Sequence, residues 1–266
     1  MQRLLAYVLL AVIAACGLFF VDGAIAVALL SGVATAFAVP AIDAGVTNAR
    51  YLRLLLTSLR SFRREIRVSV SYLYRIEHQG RFLLVQGNRL PDQYQPVGGV
   101  YKFNESARAL LQDWGARTDD LIPIDEVSAD DLRLRLPARK LVDFVRWFES
   151  ERSREVGPWR EFYEELLRTG ILPADEFPHV RADFVRRHFD PVHYSPFSQC
   201  QELLIADIYA LVPNNTQRAI LRTLADADGI GRGFLWAEAD LIQRRGAAPG
   251  KPHSRAIAVT AGWTIT

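Results

Sequence analysis

Between Leu4 and Ile42 the chain carries a single charged residue, Asp22. It separates two apolar runs, LLAYVLLAVIAACGLFFV and AIAVALLSGVATAFAVPAI. Each holds roughly 18–20 residues, and as helix each spans about 27–30 Å, close to the thickness of a bilayer core. Asp22-Gly23 is a good tight-turn pair between two helices. Gly32, Ala34, Ala36 and Ala38 keep the second run slim, so two helices can approach closely. The pattern predicts a two-helix transmembrane hairpin over residues 1–45. A secretory signal peptide over residues 1–15 fits part of it, and Ile13 to Cys16, IAAC, resembles a lipoprotein cleavage box. A lipoprotein continues as a polar tether, however, and here a second apolar run follows.

The flanks set the orientation. Arg50, Arg53, Arg60, Arg63, Arg64 and Arg67 follow the second run against one acid, Glu65, and Arg3 precedes the first. The turn between the runs carries only Asp22. The positive-inside rule places both termini of a two-pass protein in the cytoplasm. Residues 46–65 read as a basic linker helix, with Leu52, Leu55, Leu56, Leu59 and Phe62 interleaved among the arginines. Such a helix can lie along lipid headgroups, or it can be an ordinary linker whose arginines are solvated.

The remaining residues, 66–266, suffice for one sizeable domain. The net charge of the whole chain is only +2, which excludes a global nucleic-acid footprint. Two distant cysteines, Cys16 and Cys200, build neither a disulfide framework nor a zinc site. From Ile66 the period changes: IRVSVSYLYRIE alternates as a strand, HQG turns, and RFLLVQG returns as a second strand. NRLPDQYQ reads as a loop, and PVGGVYKF leads into the next element. Helices are predicted at 139–152, at 160–168 and from Asn214-Asn215, a capping pair. ADFVRRHFD and ELLIADIYALV read as strands, FLWAEADLI is ambiguous, and 245–254 is a polar loop. Strands, then helices, then strands predict an α/β/α sandwich with a mixed sheet.

The stretch REFYEELLRTGIL, Arg160 to Leu172, holds three glutamates in five residues. At about 100° per residue, Glu161, Glu164 and Glu165 fall on one helix face. Carboxylates so arranged repel unless a cation neutralises them, and Mg²⁺ with shared phosphate oxygens is the usual partner. A solvated acidic face fits the same residues. REFYEE at 160–165 resembles the second half of the Nudix box, G-x5-E-x7-R-E-U-x-E-E-x-G-U, with Phe162 at the U position. GVYKFNE, from Gly99 to Glu105, resembles its first half. Here 54 residues, Ser106 to Trp159, stand where the motif has seven. Leu167 stands at the later motif glycine, and Gly170 follows.

Taken over the whole chain, two apolar runs followed by an interrupted Nudix-like domain resemble the SMODS-associated NUDIX effectors. These belong to CBASS, the bacterial cyclic-oligonucleotide anti-phage systems. The resemblance implies a Nudix-like sensor over 66–266 with an insertion at about 106–159. It implies a cyclic oligonucleotide made by a partner CD-NTase nucleotidyltransferase. It further implies homo-oligomerisation on activation, and inner-membrane disruption that aborts infection. Candidate ligand-binding residues are Arg160, Glu161, Glu164, Glu165, Glu105, Gly99 and Tyr101. Glu161, Glu164 and Glu165 become metal ligands if the site depends on Mg²⁺. Arg160 suits bidentate phosphate contact and equally a structural pair with Glu105 or Glu164; Tyr101 and Trp159 suit base stacking and equally core packing. The alternative reading is a membrane-tethered Nudix hydrolase of nucleoside diphosphate derivatives. His78, His179, His188, His193 and His253 have no metal-ligand spacing, and Gly229-Ile230-Gly231-Arg232-Gly233 lacks the context of a phosphate loop.

Overall fold

A computed structural model describes residues 2–21, 23–87, 92–119, 129–196, 198–227, 229, 231–247 and 256–265. Asp22, residues 88–91 of the loop expected at 88–95, most of the polar loop at 245–254, Ile230 and His253 lie outside the described residues. The chain divides into two compact units, Met1–Arg64 with Ala138–Arg146, and Glu65–Pro137 with Trp147–Thr266.

The first unit opens with helix α1 (Gln2–Gly17) and helix α2 (Ala24–Thr47). Their rings Tyr7 and Phe37 stack with centroids 6.4 Å apart. Among the described residues one helix is long and apolar enough to cross a membrane, through its segment Ala24–Ile42. At 16 residues α1 is shorter than the run that predicted it, about 24 Å of helix. Residues 18–20 leave the helix as turns, with Phe20 N–H donating to the Gly17 carbonyl at 3.1 Å. Helix α3 (Ala49–Arg60) follows Asn48 directly.

In the second unit, β1 (Glu65–Arg75), β2 (Glu77–His78) and β3 (Arg81–Gln86) follow the predicted alternation and turn. Then come β4 (Gln93–Pro96), β5 (Gly98–Val100), α4 (Glu105–Asp113), β6 (Arg117–Thr118) and β7 (Arg133–Pro137). Helix α5 (Leu141–Glu149) falls within the predicted 139–152, and its residues up to Arg146 belong to the first unit. Helix α6 (Trp159–Phe162) passes into a π-helical turn, Tyr163–Leu167. The rest is β8 (Ala182–Ser195), β9 (Cys200–Leu211), α7 (Asn215–Asp226), β10 (Phe234–Glu238), α8 (Ala239–Gln243) and β11 (Ala256–Ile257). FLWAEADLI thus resolves into a strand and a short helix. Asn214 caps α7 through a reciprocal pair with Gln217, whose N–H lies 2.9 Å from the Asn214 side chain.

Six strands form one mixed sheet, in order β6-β7-β1-β9-β8 with β5 also on β1. The β1–β9 pair is parallel and the other pairs are antiparallel. A second sheet runs β10-β3-β4-β11, with β2 on β3. β3 is apolar along its length because both its faces are covered. Leu83 and Val85 join a core with Tyr74, Phe162, Leu166 and Phe234, while Phe82 and Leu84 join another with Leu235 and Ile242. Part of the sequence between the two motif halves joins the first sheet. Its strand β7 pairs with β1 over five residues, from Glu65↔Pro137 to Ser69↔Arg133.

Candidate functional site: a cleft where the split motif closes

The two halves of the motif meet residue by residue. Gly98 N–H donates to Glu165 Oε2 at 2.9 Å. The Val100 carbonyl accepts from Arg160 Nη2 at 3.0 Å. Between them, a Cβ on Gly99 would run into the Glu161 carboxylate, so the absent side chain makes the approach possible. Gly98 is a glycine for a different reason: its φ is +153°, and a Cβ there would lie 2.9 Å from Leu73 Cα and against the Tyr72 carbonyl.

Arg160 is the knot of the site. It pairs with Glu161 beside it and with Glu155 at 3.4 Å, as well as with Val100. The π turn follows at once, marked by Arg168 N–H donating to the Tyr163 carbonyl five residues back at 2.9 Å. Such turns cluster at functional sites. This one widens the helix beneath Glu164 and Glu165, and Thr169 ties it off by donating to the Glu165 carbonyl at 2.6 Å. Gly170, with φ +72°, ends the segment, while Leu167 at the motif's glycine position is buried in the core.

Burial governs the charges. Glu165 is only 7% exposed, and desolvation pushes its carboxyl up to about 8, with Glu161 and Glu164 adding to the rise. The Gly98 N–H and the Gln95 side chain pull the other way without prevailing. At neutral pH Glu165 therefore keeps its proton much of the time. Burial also raises Glu161, against the pull of Arg160. The cleft has a volume of about 400 Å³ and is lined by Gly99, Arg160, Glu161, Glu164 and Glu165. Ser69 and Ser71 of β1, Arg133 of β7, Asp131, Gln95 and Thr260 also line it. Arg133 stands opposite Ser69 across β1–β7 and pairs with Asp131.

Five of the seven predicted ligand residues are thus brought together. Two are not. Glu105 is the first residue of α4, its side chain 81% exposed and paired with Arg108 at 2.8 Å. Tyr101 is fully buried, donating its hydroxyl to Asp207 at 2.9 Å. Trp159 is 40% exposed and stacks on Phe162 with centroids 5.8 Å apart. The lining serines escaped notice in the sequence, although SVS places two polar residues with period two in an otherwise apolar strand. RLRLP carries the same signal for Arg133.

The donor set does not fit Mg²⁺ as it stands. A hard divalent cation takes ionised oxygen ligands, yet Glu161 is spent on Arg160 and Glu165 favours its proton. Among the described residues no group of three or more His, Cys, Asp or Glu side chains converges as a cation site.

A family model described as SMODS-associated NUDIX domain matches residues 65–265. The chain belongs to that family. The match begins at the first residue of β1 and takes in both sheets and the cleft, so the SMODS-associated NUDIX domain is interrupted in sequence and closed in space. No curated protein and no solved structure matches the chain significantly.

Proposed function

We propose that the chain is a membrane-anchored CBASS effector whose cleft binds a cyclic oligonucleotide. Residues 1–45 form a two-pass hairpin with both termini cytoplasmic, 46–65 a basic linker, and 66–266 the sensor. A partner CD-NTase supplies the nucleotide, binding favours an oligomeric state, and the clustered helices disrupt the inner membrane. The family supports the link to cyclic-nucleotide signalling, and α2 supports membrane association. The observation that carries the ligand reading is the cleft itself. Two arginines, Arg133 and Arg160, face a cavity of about 400 Å³ floored by serine hydroxyls. Guanidinium forks suit phosphodiester oxygens, and hydroxyls with a protonated Glu165 add neutral donors.

Arg160 is the ligand contact of greatest weight in this reading. An incoming phosphate competes for it with Glu155 and Glu161, so binding exchanges internal pairs for ligand pairs. Only such a difference between states lets a ligand shift an equilibrium. Glu161, Glu164, Glu165 and Gly99 shape the same wall.

The hydrolase reading keeps one observation in its favour, the three glutamates on one cleft wall. Liposomes carrying the full chain separate the two. A receptor releases trapped dye only when a particular cyclic di- or trinucleotide is added, with no turnover of nucleoside diphosphate derivatives in Mg²⁺. Turnover abolished by Glu164→Gln, or leakage indifferent to nucleotide, contradicts the receptor.

A further inference from the structure

Helix α3 begins one residue after α2 ends, separated from it by Asn48. If α2 crosses a bilayer through Ala24–Ile42, α3 starts about 10 Å of helix beyond the apolar segment, at headgroup depth. What α3 exposes there is unusual for a linker. Leu56, Leu59 and Phe62 are open, Leu59 by 61%, and exposed Arg53, Arg60 and Arg63 stand among them. Leu54 and Ser58 supply the buried side. The exposed side is therefore greasy and cationic at once, while a solvated linker helix is polar there.

A second segment joins it. Residues Ala138–Arg146, from within the sequence that splits the Nudix motif, belong to the same compact unit as α3. Ala138 N–H donates to the Arg64 carbonyl at 2.9 Å. Arg50 and Arg146 both sit over the Tyr51 ring, at 5.2 and 5.6 Å from its centroid. Residues 48–64 and 138–146 together hold eight basic side chains against one carboxylate, Asp143. Asp143 itself lies 3.5 Å from Lys140.

We propose that α3 and residues 138–146 form one headgroup-binding platform that recognises anionic phospholipid in the leaflet where α2 ends. Arginine stems and Leu56, Leu59 and Phe62 enter the interface while the guanidinium groups meet lipid phosphates. The insertion into the Nudix motif thereby acquires a task outside the sheet. The proposal rests on the membrane reading of α2.

The test uses the full chain carrying Cys16→Ala, Cys200→Ala and Leu59→Cys, labelled at position 59 with an environment-sensitive dye. It is reconstituted in phosphatidylcholine vesicles containing acyl-brominated lipid, with or without phosphatidylglycerol. Phosphatidylglycerol is expected to raise bromolipid quenching. Each of Arg53→Gln, Arg60→Gln and Arg63→Gln then lowers the bilayer-associated population roughly fivefold. A label moved to Phe62→Cys behaves alike and guards against a local artefact. Quenching equal in both lipids overturns the proposal, as does inorganic phosphate reproducing the effect in phosphatidylcholine. Alkaline extraction reports on the anchor alone. A chain that is extracted, yet whose label stays quenched on phosphatidylglycerol vesicles, sinks the anchor and keeps the platform.

Discussion

Arg160 and Arg187 are both guanidinium groups tied to carboxylates in the same unit, and they teach opposite lessons. Arg187 grips Asp207 with two bonds, at 2.6 and 2.9 Å, and Tyr101 donates a third at 2.9 Å. Asp207 is 1% exposed, Arg154 and Arg187 both lie over the Phe148 ring, and none of these groups lines the cleft. Burial and Asp207 hold the Tyr101 hydroxyl well above its ordinary range, so it remains a donor. Arg160 instead shares itself among Glu155, Glu161 and a carbonyl beside an open cavity, next to a glutamate that burial keeps protonated. A polar cluster with its bonds closed around one carboxylate serves the fold. One with divided bonds and room in front of it can exchange partners, which is what recognition of an anion requires.

The contrast can be broken most forcefully at Asp207. Asp207→Ala takes from buried Arg187 and Tyr101 the carboxylate they share, leaving Glu149 at 3.9 Å and the Tyr209 hydroxyl at 3.2 Å, and should cost about 3–5 kcal/mol in chemical unfolding. A loss below about 1 kcal/mol would mean that the cluster is not structural. Next comes Gly98→Ala, where backbone strain and the Leu73 backbone oppose a side chain at φ +153°. It should lose about 2–3 kcal/mol of stability. Gly99→Ala, by contrast, meets only the Glu161 side chain and should mainly distort the cleft.

A pH series sharpens the comparison further. Glu165 binds its proton more tightly folded, at about 8, than unfolded, near 4.5. The folded state therefore holds more protons between those values, and stability falls as pH rises through that window. Glu165→Gln removes the proton and should flatten the fall, with a gain of about 1–2 kcal/mol over wild type at pH 8. An unchanged slope would show that Glu165 is ionised and its burial overstated. At the small end, Glu105→Gln should leave both melting temperature and ligand response unchanged, because that side chain stands in solvent away from the cleft.

Local chemistry was legible in the sequence; long-range pairing was not. Alternation announced β1, and Asn214 with Asn215 announced a helix start, because each signal lies within a few neighbouring residues. The motif halves could be recognised but not joined, since their meeting depends on β1 pairing with β5 and β7 across long separations. RLRLP is too short to declare itself a sheet strand, so the sequence shows an insertion at about 106–159 but not its pairing with β1. Of the two roles the sequence leaves open for Tyr101, base stacking and core packing, the structure shows the ring buried with its hydroxyl on Asp207, a partner 106 residues away that no local signal announces. The π turn has no composition signal. The raised carboxyl of Glu165 arises from tertiary burial, which a helical wheel does not contain.

The most direct test is equilibrium binding of a panel of cyclic di- and trinucleotides to the full chain and to Arg160→Ala. The account predicts that one nucleotide binds at micromolar concentration or below, and that Arg160→Ala weakens it by about 10–100-fold while the melting temperature of the free protein changes little. No binding across the panel, or equal binding to Arg160→Ala, would contradict it.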